Sequence, residues 1–109
     1  YTYGAGKVPR GIIELERSVI VRIFGAMALD LCLVADGRFD AVIDTRDLIS
    51  GYDILAGTLI LKEAGGRITD IKGNKLNKDV SASGFSLIAT LDRKVHSEIV
   101  KKLKIRGYV

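Results

Sequence analysis

The chain has 109 residues, of which 48% are hydrophobic and 28% charged, so it is long enough for one small globular domain and too short for two. No apolar run approaches the roughly 20 residues that a membrane span needs, and nothing near the N-terminus resembles a signal peptide. The net charge is +4, but with three Phe, four Tyr and no Trp the basic residues lack the interleaved aromatics typical of nucleic-acid binding. We therefore expect a protein without membrane or nucleic-acid partners.

The first residue is Tyr1 rather than Met, which indicates a fragment or a processed chain. Cys32 is the single cysteine, so no internal disulfide can form. It lies inside an apolar run, where a buried and inert thiol is the ordinary outcome. We therefore expect a reducing, cytoplasmic compartment.

The first quarter of the chain reads as loop, helix and strand. Residues 9–16 are predicted to form a short helix with Pro9 in its first turn. Residues 17–24 are rich in β-branched side chains and are predicted to form a buried strand, which Gly25 ends. Residues 26–35 are apolar on nearly every side, which indicates a helix packed between two layers.

A third helix is predicted near the centre of the chain. Residues 39–45 alternate as a short strand, and residues 46–51 are predicted to form a loop. Residues 53–64 contain no Pro and few β-branched side chains, and they begin at Asp53, a good capping residue. The Gly65-Gly66 pair provides the left-handed conformation that ends helices.

The last third of the chain alternates between strands and a helix. Residues 67–71 and 85–90 are predicted strands, and Lys72-Gly73-Asn74 is a tight-turn signal between them. Residues 92–103 place apolar side chains at helical spacing, which predicts an amphipathic terminal helix. The order of elements predicts one α/β domain, residues 1–109, built as a layered mixed sheet with helices on both faces.

Two segments resemble the inositol monophosphatase family of magnesium-dependent phosphatases. Residues 51–66, GYDILAGTLILKEAGG, resemble its C-terminal motif of an aromatic residue, a metal-binding Asp, an apolar helix and Glu-Ala-Gly-Gly. Residues 22–44, RIFGAMALDLCLVADGRFDAVID, are similar to its Gly-small-Ala helix, its VA-x-G-x-x-D turn and the next strand. The resemblance implies the C-terminal half of a sugar-phosphatase fold. Leu55 departs from the family pattern, and Tyr52 stands where Trp is commoner.

The resemblance implies that Asp53 is a ligand of Mg²⁺, whereas the residue by itself indicates only a helix cap. It also implies further ligands from an N-terminal half with a Glu and an Asp-Pro-hydrophobic-Asp-Gly-Thr motif. That motif does not occur in this sequence. The spacing of the other acidic residues matches neither it nor a calcium loop, so we interpret them as turn, cap and surface residues: Asp36, Asp40, Asp44 and Asp47.

The substrate side of the implied site comprises Gly25, Ala26 and Met27, together with Arg22 and Arg46. By themselves the first three indicate a strand-to-helix turn that needs small residues. The resemblance implies that backbone groups there contact the sugar or cyclitol ring of the substrate.

Arg22 and Arg46 have two open interpretations. Each could form a structural ion pair, with Asp47, Asp44 or Glu16 as partner, because an unpaired buried charge is costly. Each could instead bind phosphate with paired donors. Arginines at both positions resemble archaeal members of the family that hydrolyse both fructose 1,6-bisphosphate and inositol phosphates.

We therefore expect part of a Mg²⁺-dependent phosphomonoester hydrolase that acts on such sugar or inositol phosphates. The isolated chain should be inactive, and a homodimer is expected. Within the enzyme class, a 3'(2'),5'-bisphosphate nucleotidase is the alternative. Outside it, the alternative is a noncatalytic binding module that dimerises through an exposed apolar face. His96 is interpreted as a surface residue, Glu63 as a structural acceptor, and no serine nucleophile is supported.

Overall fold

The computed structural model describes residues 26–76 and 84–105. Their elements are α1 (Met27–Ala35), β1 (Ala41–Ile49), α2 (Gly51–Glu63), β2 (Arg67–Thr69), β3 (Phe85–Thr90) and α3 (Arg93–Ile105). The helix predicted over residues 9–16, the strand predicted over residues 17–24, Arg22 and Gly25 lie outside the described residues. Within those residues, every helix is too short or too polar to cross a bilayer.

The three described strands form one sheet in the order β1-β3-β2, and both pairs are antiparallel. In its register, Thr90 of β3 faces Ala41 of β1 on one side and Arg67 of β2 on the other. Side chains alternate between the two faces, so the buried neighbours Leu87 and Ile88 belong to different cores. The sheet therefore has an apolar layer on each face.

Helices cover both faces, which confirms the predicted α/β layering. The first core contains Leu31 and Val34 from α1 with Ile54 and Leu61 from α2, all packed on one face. The second core joins the other face to α3. Its buried members are Ile43, Ile71, Ile88, Ile99 and Leu103.

Strand β1 is longer than predicted, because it continues to Ile49 through the segment assigned to a loop. The pairing of β1 with β3 shifts register between Asp44 and Ile49. Within the shift, Asp47 has a φ of 59°, its amide donates to Ser86 Oγ at 2.8 Å, and Ser86 Oγ donates to Asp47 Oδ1 at 2.6 Å. This β-bulge breaks the side-chain alternation, which is why the sequence pattern resembles a loop.

Helix α2 begins at Gly51 rather than Asp53, so the predicted capping residue was wrong. Ser50 is the N-cap, and its Oγ accepts from the Asp53 amide at 3.3 Å. The predicted end of the helix is confirmed. Gly65 has a φ of +86° and donates to the Lys62 carbonyl, while the next amide, from Gly66, donates to the Leu61 carbonyl.

Close packing of α1 on α2 depends on Gly57. A Cβ at this position would lie 2.6 Å from Leu31 Cδ1 and 2.8 Å from Leu31 Cβ, and the latter atom is fixed to the α1 backbone. We expect Gly57→Ala to lower the free energy of unfolding by about 1–3 kcal/mol through overpacking, despite the better helix propensity of alanine. Urea unfolding checks this, with the half-buried neighbour Thr58→Ala as control. A stabilised Gly57→Ala variant would contradict the packing.

Helices α1 and α2 pack on the sheet and on each other, and their remaining sides are not covered by the described residues. Cys32 is exposed, so the prediction of a buried thiol was wrong. The reason is that the apolar outer sides of these helices, predicted to lie between two layers, face solvent in this chain. Among the described residues, the exposed large apolar side chains are Leu29 on α1, Leu48 on β1, and Tyr52, Leu55, Leu59 and Ile60 on α2.

Candidate functional site

Asp53 lies in the exposed first turn of α2, directly after the strand that carries Arg46. Ser50 Oγ donates to Asp53 Oδ2 at 3.0 Å and accepts from the Asp53 amide. This reciprocal arrangement is similar to a capping box, and it fixes the carboxylate at the helix start. Its Oδ1 makes no hydrogen bond with a described residue, and Asp53 is exposed, so this oxygen is available as a ligand.

The Asp53 carboxylate could form one part of a binding site for a cation such as Mg²⁺, but not a whole site. Among residues 26–76 and 84–105, no three His, Cys, Asp or Glu side chains lie close enough to hold a metal together. Mg²⁺ takes oxygen ligands, keeps several waters, and is often held by one or two carboxylates with substrate phosphates. Asp53 therefore fits as one oxygen ligand of a site that the His, Cys, Asp and Glu side chains of the described residues do not complete by themselves.

Arg46 is held in a bidentate pair with Asp44, a carboxylate with no exposed surface. Its Nη2 donates to Asp44 Oδ2 at 2.8 Å, its Nε lies 3.1 Å from Oδ1, and its backbone amide also donates to Oδ1. The hydrogen bond with Asp44 raises the pKa of the Arg46 guanidinium. Of the two open interpretations of Arg46, the ion pair is thus realised, with Asp44 as the partner.

The same pair leaves part of Arg46 available. About 34% of its side chain is exposed, and its Nη1 makes no hydrogen bond with a described residue. A guanidinium oriented by a buried carboxylate can present its remaining donors to an anion at little further loss of side-chain entropy. Structural pairing and ligand binding are therefore compatible at Arg46.

A second carboxylate, Asp30, lies near this pair on the first turn of α1. It is 6% exposed, and its Oδ1 lacks a hydrogen-bond partner among the described residues. Burial raises the pKa of Asp30, and the negative charge of Asp44 raises it further. The Asp30 amide donates to the Ala26 carbonyl at 2.9 Å, so Ala26 and Met27 are one helical turn away. The first turn of α1 thus places the Asp30 carboxyl within electrostatic range of Asp44.

Two features of this region were missed from the sequence although signals existed. Ser50 stands three residues before Asp53, which is the spacing of a capping box. Asp44 interrupts an apolar strand, and a buried acid in that position requires a cation. Asp44 was instead interpreted as a turn, cap or surface residue, which was wrong.

His96 is fully buried, so its interpretation as a surface residue was wrong. Its Nε2 lies 2.7 Å from Thr69 Oγ1 and its Nδ1 lies 3.0 Å from Thr90 Oγ1, which ties α3 to both β2 and β3. Burial, and next the positive charge of Arg67, lower its pKa to about 4. The residues near His96 in the sequence are charged, so the sequence pattern did not indicate that position 96 faces the sheet.

Comparisons with known proteins agree with this architecture. The family model described as the inositol monophosphatase family matches residues 6–107. The chain belongs to the inositol monophosphatase family. The resemblance of the two sequence segments to this family is thereby confirmed.

Individual members of the inositol monophosphatase family are similar over most of this chain. A fructose-1,6-bisphosphatase/inositol-1-monophosphatase from Methanocaldococcus jannaschii is 41% identical over 83 residues, which is 76% of this chain and 33% of that protein. A bifunctional NADP phosphatase/NAD kinase from Methanococcus maripaludis is 36% identical over 80 residues, 73% of this chain and 14% of that protein. The chain thus spans a third or less of the length of these relatives.

Solved structures also resemble most of this chain, and this chain again spans less than half of each of them. An inositol monophosphatase from Thermotoga maritima superposes with a TM-score of 0.74 at 32% identity, over 94% of this chain and 39% of that chain. The similarity in three dimensions therefore extends over nearly all of the chain, and it establishes the α/β fold of the family.

Proposed function

We propose that this chain is part of a Mg²⁺-dependent phosphomonoester hydrolase that acts on sugar or inositol phosphates. The observation that carries the proposal is the exposed Asp53 carboxylate, which Ser50 holds at the start of α2 through one oxygen, while the other oxygen makes no hydrogen bond with a described residue. Membership of a phosphatase family supports it. The isolated chain should be inactive, because its described residues contain no cluster of three His, Cys, Asp or Glu side chains that could hold the metal.

When bound, Mg²⁺ supplies Lewis-acid stabilisation of negative charge on the phosphate and lowers the pKa of a bound water. The role of this chain is to hold one side of the reacting centre. Asp53 would donate a carboxylate oxygen to the cation, and Ser50 would fix the orientation of that carboxylate. The short link between β1 and α2 makes this position rigid, because a single residue separates the two elements.

On the substrate side, Arg46 would neutralise phosphate or bind sugar oxygens with the donors that Asp44 leaves free. The backbone of exposed Ala26 and half-buried Met27, at the N-terminus of α1, would border the sugar or cyclitol ring. Arg22 and Gly25 complete the proposed substrate set from outside the described residues. Fructose 1,6-bisphosphate and myo-inositol monophosphate are the proposed substrates, and relatives named for both activities support this choice.

The role of Arg46 is tested by Arg46→Gln in the natural full-length protein. If Arg46 binds the second phosphate, we expect KM for fructose 1,6-bisphosphate to rise about tenfold, which corresponds to the loss of one charge-assisted hydrogen bond. KM for inositol 1-phosphate, which has one phosphate, should change less. Steady-state release of inorganic phosphate measures both.

Two control variants separate binding from folding. Arg38→Gln removes the same charge from an exposed pair with Asp36 and should leave both KM values unchanged. Arg46→Lys keeps a cation beside buried Asp44, so it should preserve the melting temperature better than Arg46→Gln. Equal changes in KM for both substrates would show that Arg46 does not bind the second phosphate, and a lowered melting temperature of Arg46→Gln alone would show that Arg46 supports the fold.

The runner-up activity is hydrolysis of a nucleotide phosphate, for which the similarity to an NADP phosphatase is the specific support. Adenosine 3',5'-bisphosphate and NADP⁺ therefore belong in the same substrate series. A ratio of kcat to KM at least tenfold higher for either nucleotide than for both sugar phosphates would favour this alternative.

A noncatalytic role is the alternative from another class, and the apolar outer side of α1 and α2 supports it. Leu55 and Leu59 are 56% and 62% exposed, which is unusual for a helix face that stays in water. Light scattering of the natural protein tests dimerisation. A dimer without phosphatase turnover would favour the noncatalytic role over the enzyme.

A further inference from the structure

A cationic groove of about 490 Å³ lies between the turn after β2 and helix α3. Arg67, Lys72 and Lys101 supply three positive charges to its lining, and Asn74 and Ser97 add neutral polar groups. We call this set the α3 groove. It lies on the face of the sheet that α3 covers, whereas α2 and Asp53 belong to the other face.

The wall of the α3 groove formed by residues 70–74 is a fixed turn. Asp70 Oδ1 accepts from the backbone amides of Lys72 and Asn74 at 2.9 and 2.8 Å, and the Asp70 amide donates to the Asn74 carbonyl. Gly73 has a φ of +89°, and a Cβ there would lie 3.1 Å from Val100 Cγ1 on α3. The turn therefore packs directly on α3, and the groove is formed before any ligand binds.

The three cations of the α3 groove have no ion-pair partner among the described residues. Neither Arg67, Lys72 nor Lys101 makes an ion pair with any of them. The nearby acid Asp70 directs one oxygen into the turn, and Glu98 of α3 is not part of the lining. Arg67 also lies close enough to buried His96 that its charge adds to the effect of burial in lowering the pKa of that histidine.

We propose that the α3 groove binds a small anion with more than one phosphate group. Three cations from three separate segments suit a multiply charged ligand better than a single carboxylate, and Arg and Lys both bind phosphate oxygens well. The volume lies in the range of small-molecule sites. None of the lining residues is aromatic, so the groove lacks the stacking surface that single-stranded nucleic acids use. This inference does not depend on the proposed hydrolase activity.

The test is a calorimetric titration of the natural full-length protein with inorganic pyrophosphate, in EDTA so that no divalent cation supports binding elsewhere. Arg67→Gln/Lys101→Gln removes two charges from the α3 groove. Lys62→Gln/Arg93→Gln removes the same charge from exposed positions outside it and serves as the matched control. We expect the groove variant to weaken binding at least tenfold and the control to change it less than twofold.

Other outcomes would overturn the proposal. Equal weakening in both variants would show that pyrophosphate responds only to net charge, and absence of binding to the unmodified protein would show that the groove is not a phosphate site. A short single-stranded RNA that binds through Arg67 and Lys101 when pyrophosphate does not would assign the groove to nucleic acid instead. Melting temperatures of both variants establish that each is folded.

Discussion

Asp53→Asn in the natural full-length protein is expected to reduce kcat for phosphate release about 1000-fold, with little change in stability. Asparagine keeps the shape of the side chain and can still accept from Ser50 Oγ, but it removes the negative charge offered to the cation. A loss of about 4 kcal/mol of transition-state stabilisation corresponds to this factor. Initial rates at saturating substrate and varied Mg²⁺ measure it.

Two variants on the same helix control for this result. Glu63→Gln removes an exposed acid from the other end of α2 and should leave kcat unchanged. Ser50→Ala removes the N-cap, so it should lower the free energy of unfolding by about 1 kcal/mol and affect kcat far less than Asp53→Asn. If Asp53→Asn kept kcat within tenfold of the unmodified protein, Asp53 would serve only as a hydrogen-bond partner of Ser50 at the helix start.

His96 makes the stability of the fold depend on pH. The folded chain holds its pKa near 4, whereas an unfolded histidine has its ordinary pKa of about 6.5. Below pH 6.5 the unfolded chain therefore binds a proton that the folded chain does not, so stability falls as the pH falls and levels off near pH 4. The full effect is about 3 kcal/mol, of which about 1 kcal/mol is expected between pH 7 and 5.5.

Urea unfolding at pH 7, 6 and 5.5 tests this prediction, with His96→Gln as the comparison. The free energy of unfolding of His96→Gln should change little over this pH range, because few other side chains titrate there. The chain contains one histidine, so its imidazole resonance can be identified directly in an NMR titration. A folded-state pKa near 6.5 would contradict the account.

The hydrogen-bond partners of His96 favour its charged form, and so act against the lowering of its pKa. Thr69 Oγ1 donates to the Asp70 carbonyl and Thr90 Oγ1 donates to the Asp92 carbonyl, so both hydroxyl oxygens face the ring as acceptors. A neutral imidazole has one N–H, and one threonine must therefore turn its proton toward the ring. A charged ring would donate to both threonine oxygens without that rearrangement. The loss of hydration in a site with no exposed surface, together with the positive charge of Arg67, outweighs this advantage, so the pKa is lowered.

Regular parts of the fold followed from the sequence because their signals are local. The end of α2 at Gly65, the strand β3 and the amphipathic pattern of α3 depend on neighbouring residues only. The β-bulge in β1 could not be predicted, because it depends on Ser86, which is 39 positions from Asp47 along the chain. The same reason applies to His96, whose partners Thr69 and Thr90 lie on two strands.

For the candidate site, the resemblance to a family indicated Asp53, and the chemistry of the residues indicated that Arg46 needs an anionic partner. The identity of that partner was left open among Asp44, Asp47 and Glu16, since proximity in sequence does not say which acid is buried with it. Asp30 went unnoticed as a buried carboxylate because one acid on an apolar helix has no local signature. The α3 groove likewise unites residues that are separated along the chain.

The most direct test of the proposed function is phosphate release from fructose 1,6-bisphosphate and inositol 1-phosphate by the natural full-length protein, with Mg²⁺ and with EDTA. We expect turnover with Mg²⁺ that is lost in EDTA, restored by added Mg²⁺, and absent from the 109-residue chain alone. Turnover that persists in EDTA, or Mg²⁺-dependent turnover by the 109-residue chain itself, would contradict this expectation.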